Sequence, residues 1–433
     1  MTTLVENKEF LTALSSMEVT ATIFFALAVL HTFLVRRISA LSHHFRPGSP
    51  AENLFHFLGE VEVVFGIWAT LLMVVWSFRF GTNSVVSYLE TVNYTEAAFV
   101  FVVMAIAATR PIMSLAQQFV FLVSKYIPLP GALPQYFTIL SVGPILGSLI
   151  TEPAAMTISA LLLRDSIFKA NVSTWLKYIT VGVLFVNISI GGSLTHFAAP
   201  PVVMVAHSWK WDLSFMFWNF GWKALAAVFV NVILVCICFF KEISQLANTP
   251  TKSTDMKAPF WTSVVHIVFI TLTVFYSHHM SFFIPLFLLF LGWVAISEEH
   301  QDELRIRQAL LVGYFLGGLV TLGKLQAWWL KPTVEGMTSS VLFWGATALT
   351  AVTDNAALTY LGTLVPTLDE YSKYTLVAGA LTGGGLTVIA NAPNPAGYSI
   401  LSPLFGEDGI SPAKLFIAAL PFTLIAAAFF ILL

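Results

Sequence analysis

Two short motifs place a carboxylic acid inside apolar segments. Thr151–Ala155 reads Thr-Glu-Pro-Ala-Ala, and Thr353–Ala357 reads Thr-Asp-Asn-Ala-Ala. An ionisable residue inside a membrane segment is costly and usually faces a cavity or a partner. Burial favours the neutral form of an acid, so such a carboxylate could hold either a proton or a sodium ion. Glu152 and Asp354 are therefore the first candidates for ion coupling, although each could also cap the helix that follows it.

A second pair of motifs interrupts apolar segments with glycine and proline. Gly191–Pro201 resembles Gly383–Pro393, and the two pairs of motifs recur in the same order. Broken helices at corresponding places of two halves are typical of transporter binding sites, because they expose backbone amides and carbonyls. The predicted backbone breaks are Gly191, Gly192, Gly383, Gly384 and Gly385. Neutral oxygens that could complete a sodium shell, or simply cap local backbone, belong to Thr151, Thr353, Asn355, Thr195, Thr387, Asn391 and Asn394.

Four further residues could couple protons or balance charge. His196 follows Thr195 in the first break and could sense protons, or be an ordinary hydrogen-bonded histidine. Glu60 and Glu62 are expected inside the second apolar segment, and at least one of them should face protein. Arg110 and Lys324 could neutralise Glu60 or either motif acid, and the pairings stay open; Arg110 could instead snorkel to the membrane surface.

The composition excludes several classes of protein. Of 433 residues, 57% are hydrophobic and 10% charged, which excludes a soluble globular protein. A formal net charge of −2 without a basic stripe argues against nucleic acid as a partner. Cys236 and Cys238 support neither a disulfide framework nor a thiolate metal site. The sequence contains no zinc-protease motif, no nucleophile-elbow motif around a serine and no phosphate-binding loop motif. We therefore expect no enzyme, no cofactor and no transition metal.

These motifs require membrane helices to position them. About 20 apolar residues cross a bilayer, which predicts ten spans at about 18–36, 54–78, 95–115, 178–207, 213–240, 259–277, 280–297, 308–328, 375–402 and 413–433. The stretches at about 134–165 and 338–366 are interrupted by the acidic motifs and are predicted to be re-entrant hairpins. Most Lys and Arg then fall on the cytoplasmic side, with the amino terminus outside.

The predicted fold is an all-α polytopic membrane protein with an inverted-topology repeat. Each half contains five spans and one hairpin. The first repeat covers 1–240, a cytoplasmic linker covers 241–258, and the second repeat covers 259–433. The broken helices are predicted at about 178–207 and 375–402, one in each half.

With these motifs the chain resembles the ion-transporter superfamily over almost its whole length. The most specific stretch is Gly383–Gly397, Gly-Gly-Gly-Leu-Thr-Val-Ile-Ala-Asn-Ala-Pro-Asn-Pro-Ala-Gly, which looks most like the bacterial family described as putative sodium/proton antiporters. The resemblance implies a scaffold domain, a transport domain that holds both hairpins and both broken helices, a homodimer, elevator-type movement and a bacterial inner (cytoplasmic) membrane.

One departure from the superfamily bears on the substrate. Its dicarboxylate branch has Ser-Asn-Thr at the hairpin tips, where this chain has Glu152 and Asp354. Two carboxylates would repel an anion but suit a hard cation that prefers oxygen ligands. The sequence therefore favours a secondary antiporter of sodium, or of lithium, and protons. The alternative is a cation-coupled symporter of a small organic or inorganic anion, with Arg110 or Lys324 as the counter-charge.

Overall fold

The computed structural model describes residues 2–170, 172–246, 258–406 and 409–433, with side chains from residue 14 onward except at position 36. Throughout these ranges the regular secondary structure is helical, without strands. In chain order the α-helices are α1 (Thr2–Ser42), α2 (Pro50–Leu58), α3 (Val64–Phe80), α4 (Thr82–Glu90), α5 (Thr95–Ala107), α6 (Arg110–Lys125), α7 (Leu133–Ile150), α8 (Glu152–Leu163), α9 (Thr174–Gly191), α10 (Pro200–Trp209), α11 (Leu213–Met216), α12 (Trp222–Cys238), α13 (Phe240–Ser244), α14 (Phe260–Phe275), α15 (Met280–Ile296), α16 (Ile306–Gly323), α17 (Ala327–Val334), α18 (Ser339–Thr350), α19 (Asn355–Thr363), α20 (Glu370–Gly383), α21 (Asn394–Leu401) and α22 (Pro412–Leu432).

Several helices are long and apolar enough to cross a membrane. Among the described residues these are Leu14–Val35, Val61–Phe80, Leu133–Ile150, Thr174–Leu194, Leu213–Cys238, Ile306–Val334 and Pro412–Leu432. Helices α4 and α5 pass the same test as a pair that bends by 70°. The predicted all-α polytopic membrane architecture is confirmed. Helices α14 and α15, predicted as full spans, are apolar but have only 16 and 17 residues, at the lower limit for crossing the hydrocarbon core.

The first of two compact units comprises Met1–Phe101, Arg307–Met337 and Tyr360–Leu368. Its centre is the contact between α3 and α16, where Gly318 lies against the backbone of Phe65 and Gly66. Phe65 also packs edge-on against Phe25 and Phe315. Two helix backbones can approach this closely only where one helix presents a residue without a side chain.

The second unit comprises Val102–Ile306, Thr338–Thr359 and Asp369–Leu433. Helix α9 is buried over most of its length, and its Gly182 packs against the backbone of Ala418 and Ala419 in α22. In the same way, Gly379 of α20 lies against the carbonyl oxygen of Phe343 in α18. Glycines thus bring the central helices of this unit together at short range.

The predicted second span is wrong at its start. Helix α2 ends at Leu58, and the helical run that reaches Phe80 begins only at Val61. The turn lies at Gly59, where a Cβ would come within 2.8 Å of the Ser39 backbone in α1. Glu60 therefore lies in the break between two helices rather than inside a span, with its carboxylate 3.6 Å from Arg307.

The predicted span at 95–115 is also wrong, because it is divided in two. Helix α5 ends at Ala107 and α6 begins at Arg110, with Pro111 at its first turn, where a missing backbone N–H costs nothing. Arg110 therefore begins a helix instead of ending a span. The predicted linker at 241–258 lies mostly outside the described residues, because 247–257 are not among them.

The contact between α3 and α16 gives a test of the packing in the first unit. A Cβ on Gly318 would lie 2.3 Å from the Gly66 backbone nitrogen, so Gly318→Ala forces two backbones apart. We expect it to lower the free energy of unfolding by about 1–3 kcal/mol, the usual cost of overpacking. The measurement is thermal unfolding in detergent, followed by the fluorescence of the 12 tryptophans.

The adjacent Gly317 supplies a matched control, because a Cβ there would meet nothing closer than 3.9 Å. Gly317→Ala should unfold at or above the wild-type temperature. Equal destabilisation by both substitutions would show that the contact between α3 and α16 does not determine the stability of this unit.

Candidate ion site at the helix breaks

The first acidic motif lies where α7 ends and α8 begins. Between them stands Thr151, buried, with φ 78° and ψ 148°. These angles belong to a region that only glycine adopts easily, and for a β-branched residue they are a marked outlier. The chain therefore reverses through a strained residue immediately before Glu152, and strain of this kind is concentrated at functional sites.

Glu152 is fully buried at the first position of α8. Its Oε2 atom accepts a hydrogen bond of 2.9 Å from the side-chain amide of Asn391. Its Oε1 atom has no hydrogen-bond partner in the described part of the chain. Gly192 faces this oxygen, and a Cβ there would lie only 2.4 Å from it. Glycine at this position therefore leaves room for the carboxyl group.

Asp354 has a different environment in the second motif. Its Oδ1 atom accepts hydrogen bonds from the backbone nitrogens of Ala356, at 2.8 Å, and Ala357, at 3.3 Å. Asp354 thus caps α19, one of the two roles left open for it, whereas the start of α8 has no side-chain cap bond.

Three asparagine side chains lie at the second helix break or contact it. Asn355 is fully buried, and neither its Oδ1 nor its Nδ2 atom has a hydrogen-bond partner among the described residues. Asn394 donates to the carbonyl oxygens of Gly384 and Thr387, both at 2.8 Å. The Oδ1 atoms of Asn391 and Asn394 have no partner within the described ranges. Since buried polar atoms are nearly always satisfied, these oxygens are ligand candidates.

The two predicted breaks are present and are held by the same kind of bond. Helix α9 continues as a 3-10 turn to Leu194, and residues 195–199 are non-helical before α10 begins. Helix α20 ends at Gly383, and α21 begins at Asn394. The hydroxyl of Thr195 donates to the Ser148 carbonyl at 2.7 Å, and that of Thr387 donates to the Ala351 carbonyl at 2.8 Å.

Three contacts around the first break have counterparts around the second. The breaks are 192 residues apart in sequence, and the residues that they touch are 203 apart. The matching contacts are Gly191 with Pro144 and Gly383 with Thr347; Gly192 with Glu152 and Gly384 with Asn355; and Thr195 with Ser148 and Thr387 with Ala351. The counterpart of Glu152 by contact is therefore Asn355, whereas sequence similarity aligns it with Asp354.

The other predicted residues have no described contact with Glu152. The Thr353 hydroxyl donates to Leu349 in its own preceding turn. His196 is half-buried, and its Nδ1 atom has no partner in the described chain. Arg110 lies 3.6 Å from Asp302. Lys324 belongs to the first unit and donates to the Thr91 carbonyl.

Two serines of this region were missed by the sequence analysis. The hydroxyl of Ser148 donates to the Gly191 carbonyl at 2.7 Å and accepts from the Leu194 nitrogen at 3.0 Å. The hydroxyl of Ser189 donates to the Leu381 carbonyl at 2.7 Å, joining α9 to α20. The signal that could have found them is a polar residue in an otherwise apolar segment, close to a predicted break.

Comparison with known proteins bears on the chain as a whole. A family model described as "Putative Na+/H+ antiporter" matches residues 16–433. The chain belongs to this family. No curated protein matches it. As a member of the Na+/H+ antiporter family, the protein is a multi-pass membrane transporter and not an enzyme, and the family's ions are sodium and protons.

The strained backbone at Thr151 gives one prediction. Replacing Thr151 with glycine relieves its backbone strain, so we expect Thr151→Gly to raise the free energy of unfolding by about 1 kcal/mol. Thr151→Ala keeps a Cβ in the same conformation and should give no gain. Thermal unfolding in detergent measures both, and equal destabilisation by glycine and alanine would contradict the strain argument.

The room in front of Glu152 gives a second prediction. Gly192→Ala places a methyl group 2.4–2.9 Å from the carboxyl group and Cγ of Glu152, so the whole acidic group must move. We expect a folded protein that has lost most of its ion transport, measured as sodium-dependent proton flux in proteoliposomes. Gly345→Ala is the control, because a Cβ there meets nothing within 4 Å. Full transport by Gly192→Ala would show that the position of Glu152 is not critical.

Proposed function

We propose that the protein exchanges sodium for protons, and that the carboxyl group of Glu152 carries either ion in turn. The observation that carries this proposal is a fully buried carboxyl group with one oxygen satisfied by Asn391 and the other without a hydrogen-bond partner among the described residues. A free carboxylate oxygen of this kind can bind a proton or a cation, but not both.

The charge of each loaded state supports exchange rather than leak. Glu152 with a proton is neutral, and Glu152 with sodium is also neutral as a pair. The unloaded carboxylate is a buried charge with one amide donor, and burying an uncompensated ion costs several kcal/mol. Movement of the site across the membrane is therefore favoured only when one of the two ions is bound, which couples their fluxes.

The surrounding atoms support a hard monovalent cation. Oxygens without hydrogen-bond partners in the described chain are present on Asn355, Asn391 and Asn394, in addition to Glu152. One carboxylate together with neutral amide and backbone oxygens provides a single negative charge and several oxygen ligands, which hard cations prefer. Asp354 caps α19 with its Oδ1 atom.

The finer architecture forms part of the same proposal. We propose that 1–240 and 259–433 form inverted repeats, with re-entrant hairpins at 134–165 and 338–366 that bring Glu152 and Asp354 into the membrane interior. The matched contacts at offsets of 192 and 203 residues support a repeat. A homodimer in a bacterial inner membrane is proposed from the family resemblance.

The two acids provide the test. Glu152→Gln removes the proton and sodium site while keeping an acceptor for Asn391, so we expect sodium-dependent proton flux in proteoliposomes to disappear. Asp354→Asn removes a charge but keeps the oxygen that caps α19, so we expect exchange to continue within a few-fold of the wild-type rate. Stabilisation by sodium in thermal unfolding should be lost only in Glu152→Gln.

These outcomes separate the alternatives. Wild-type protein that moves no protons with sodium over a broad pH range would overturn the antiporter proposal. Full exchange by Glu152→Gln together with loss of exchange in Asp354→Asn would transfer the coupling role to Asp354.

A further inference from the structure

We propose that a cavity beside the first helix break is the access path by which cations reach Glu152, and that Asp212 concentrates them there. This inference rests on the proposed sodium/proton exchange. The cavity has a volume of about 690 Å³ and lies entirely within the second unit. Its polar lining residues are Ser148, Thr195, Asp212 and Ser214.

The exposure of these four residues gives the cavity a direction. Asp212 and Ser214 are exposed and mark its mouth. Ser148 and Thr195 are 1% and 5% exposed and form its floor. The cavity therefore leads from the protein surface to the break between α9 and α10. At this break, some backbone N–H and C=O groups make no hydrogen bonds within a helix.

The floor is directly connected to the Glu152 site. Ser148 and Thr195 are hydrogen-bonded to each other through the Ser148 carbonyl, and the Ser148 hydroxyl binds both Gly191 and Leu194. The adjacent residue, Gly192, faces the Oε1 atom of Glu152. The segment from Gly191 to Thr195 therefore contacts the carboxyl group at Gly192 and lines the cavity at Leu194 and Thr195.

The charge at the mouth selects the sign of the ion. Asp212 uses its Oδ1 atom to cap α11, accepting a 2.7 Å bond from the Phe215 nitrogen. The half-buried Ile145 and Leu194 line the cavity between mouth and floor, and the exposed Leu149, Phe217 and Trp218 line it near the mouth, so its lining is mostly apolar. Low-dielectric walls focus the field of a charged group along a cleft and raise the local concentration of counter-ions. Asp212 is the one charged residue among those that line the cavity, so its carboxylate attracts cations into it and repels anions.

Asp212→Asn tests this role without disturbing the fold, because asparagine caps a helix as well as aspartate does. We expect the KM for sodium to rise roughly three- to tenfold at low ionic strength while the maximal rate stays unchanged. In high choline chloride the KM ratio should approach one, because salt screens the charge. The measurement is sodium-dependent proton flux in proteoliposomes at two ionic strengths.

Asp369→Asn is the matched control. Asp369 caps α20 through the Ser372 nitrogen in the same way, but it does not line the cavity. Its KM for sodium should equal that of the wild type at both ionic strengths. If both variants shift KM alike, or neither does, the proposed role of Asp212 is wrong.

A second measurement tests the cavity itself. In a Cys238→Ala background, which removes the exposed native thiol, Ser214→Cys is labelled with a positively charged methanethiosulfonate. We expect labelling to abolish most of the exchange. The same label on Ser208→Cys, an exposed position that does not line the cavity, should leave exchange intact.

The exchange function and the access path are overturned by different results. Wild-type protein that shows no sodium-driven proton flux would overturn the exchange function, and the access path with it. Wild-type exchange together with unchanged Asp212→Asn kinetics and full transport after labelling of Ser214→Cys would overturn the access path alone.

Discussion

The structure of the second unit depends on the burial of one carboxyl group. Glu152 has no measurable exposure and receives a hydrogen bond to only one of its oxygens. A carboxylate in that position is costly unless a proton or a cation compensates it. Neighbouring residues accommodate this burial. Thr151 adopts a strained conformation immediately before the acid, and Gly192 leaves space in front of the carboxyl group. The asparagines provide oxygens without adding charge.

Close packing of backbones makes this arrangement possible. Gly191 and Gly383 each lie within about 3 Å, measured from a built Cβ, of the backbone in the segment that precedes an acidic motif. No side chain fits at such contacts, so the broken helices lie directly against the segments they touch. The hydroxyls of Thr195 and Thr387 then bind the freed carbonyls of Ser148 and Ala351. This satisfies part of the exposed backbone, as a non-helical segment inside a membrane requires.

Much of this could be predicted from the sequence, because apolar length, acidic motifs and Gly-Gly breaks are local signals. The all-α membrane class and the interruptions at Thr151 and Gly191 were visible there. The breaks after Leu58 and Ala107 were not, because they depend on contacts with distant residues: Gly59 packs on Ser39, and Thr109 binds His266. Glu60 and Arg110 were misplaced for this reason. The pairing of Lys324 with the Thr91 carbonyl likewise needs the tertiary structure.

The side chains that face the two breaks differ in whether they can titrate. The contact made by the Glu152 carboxyl group with Gly192 is made in the second half by the amide of Asn355 with Gly384. An amide does not titrate, and the neighbouring Asp354 uses an oxygen to cap a helix. The two halves thus share a backbone arrangement but differ in charge at the equivalent position. The first half supplies a group that can change its protonation, and the second supplies a neutral amide. In the proposed exchange at Glu152, one charge is therefore exchanged for one charge, because a second buried carboxylate at the matching position would repel the first and require its own ion.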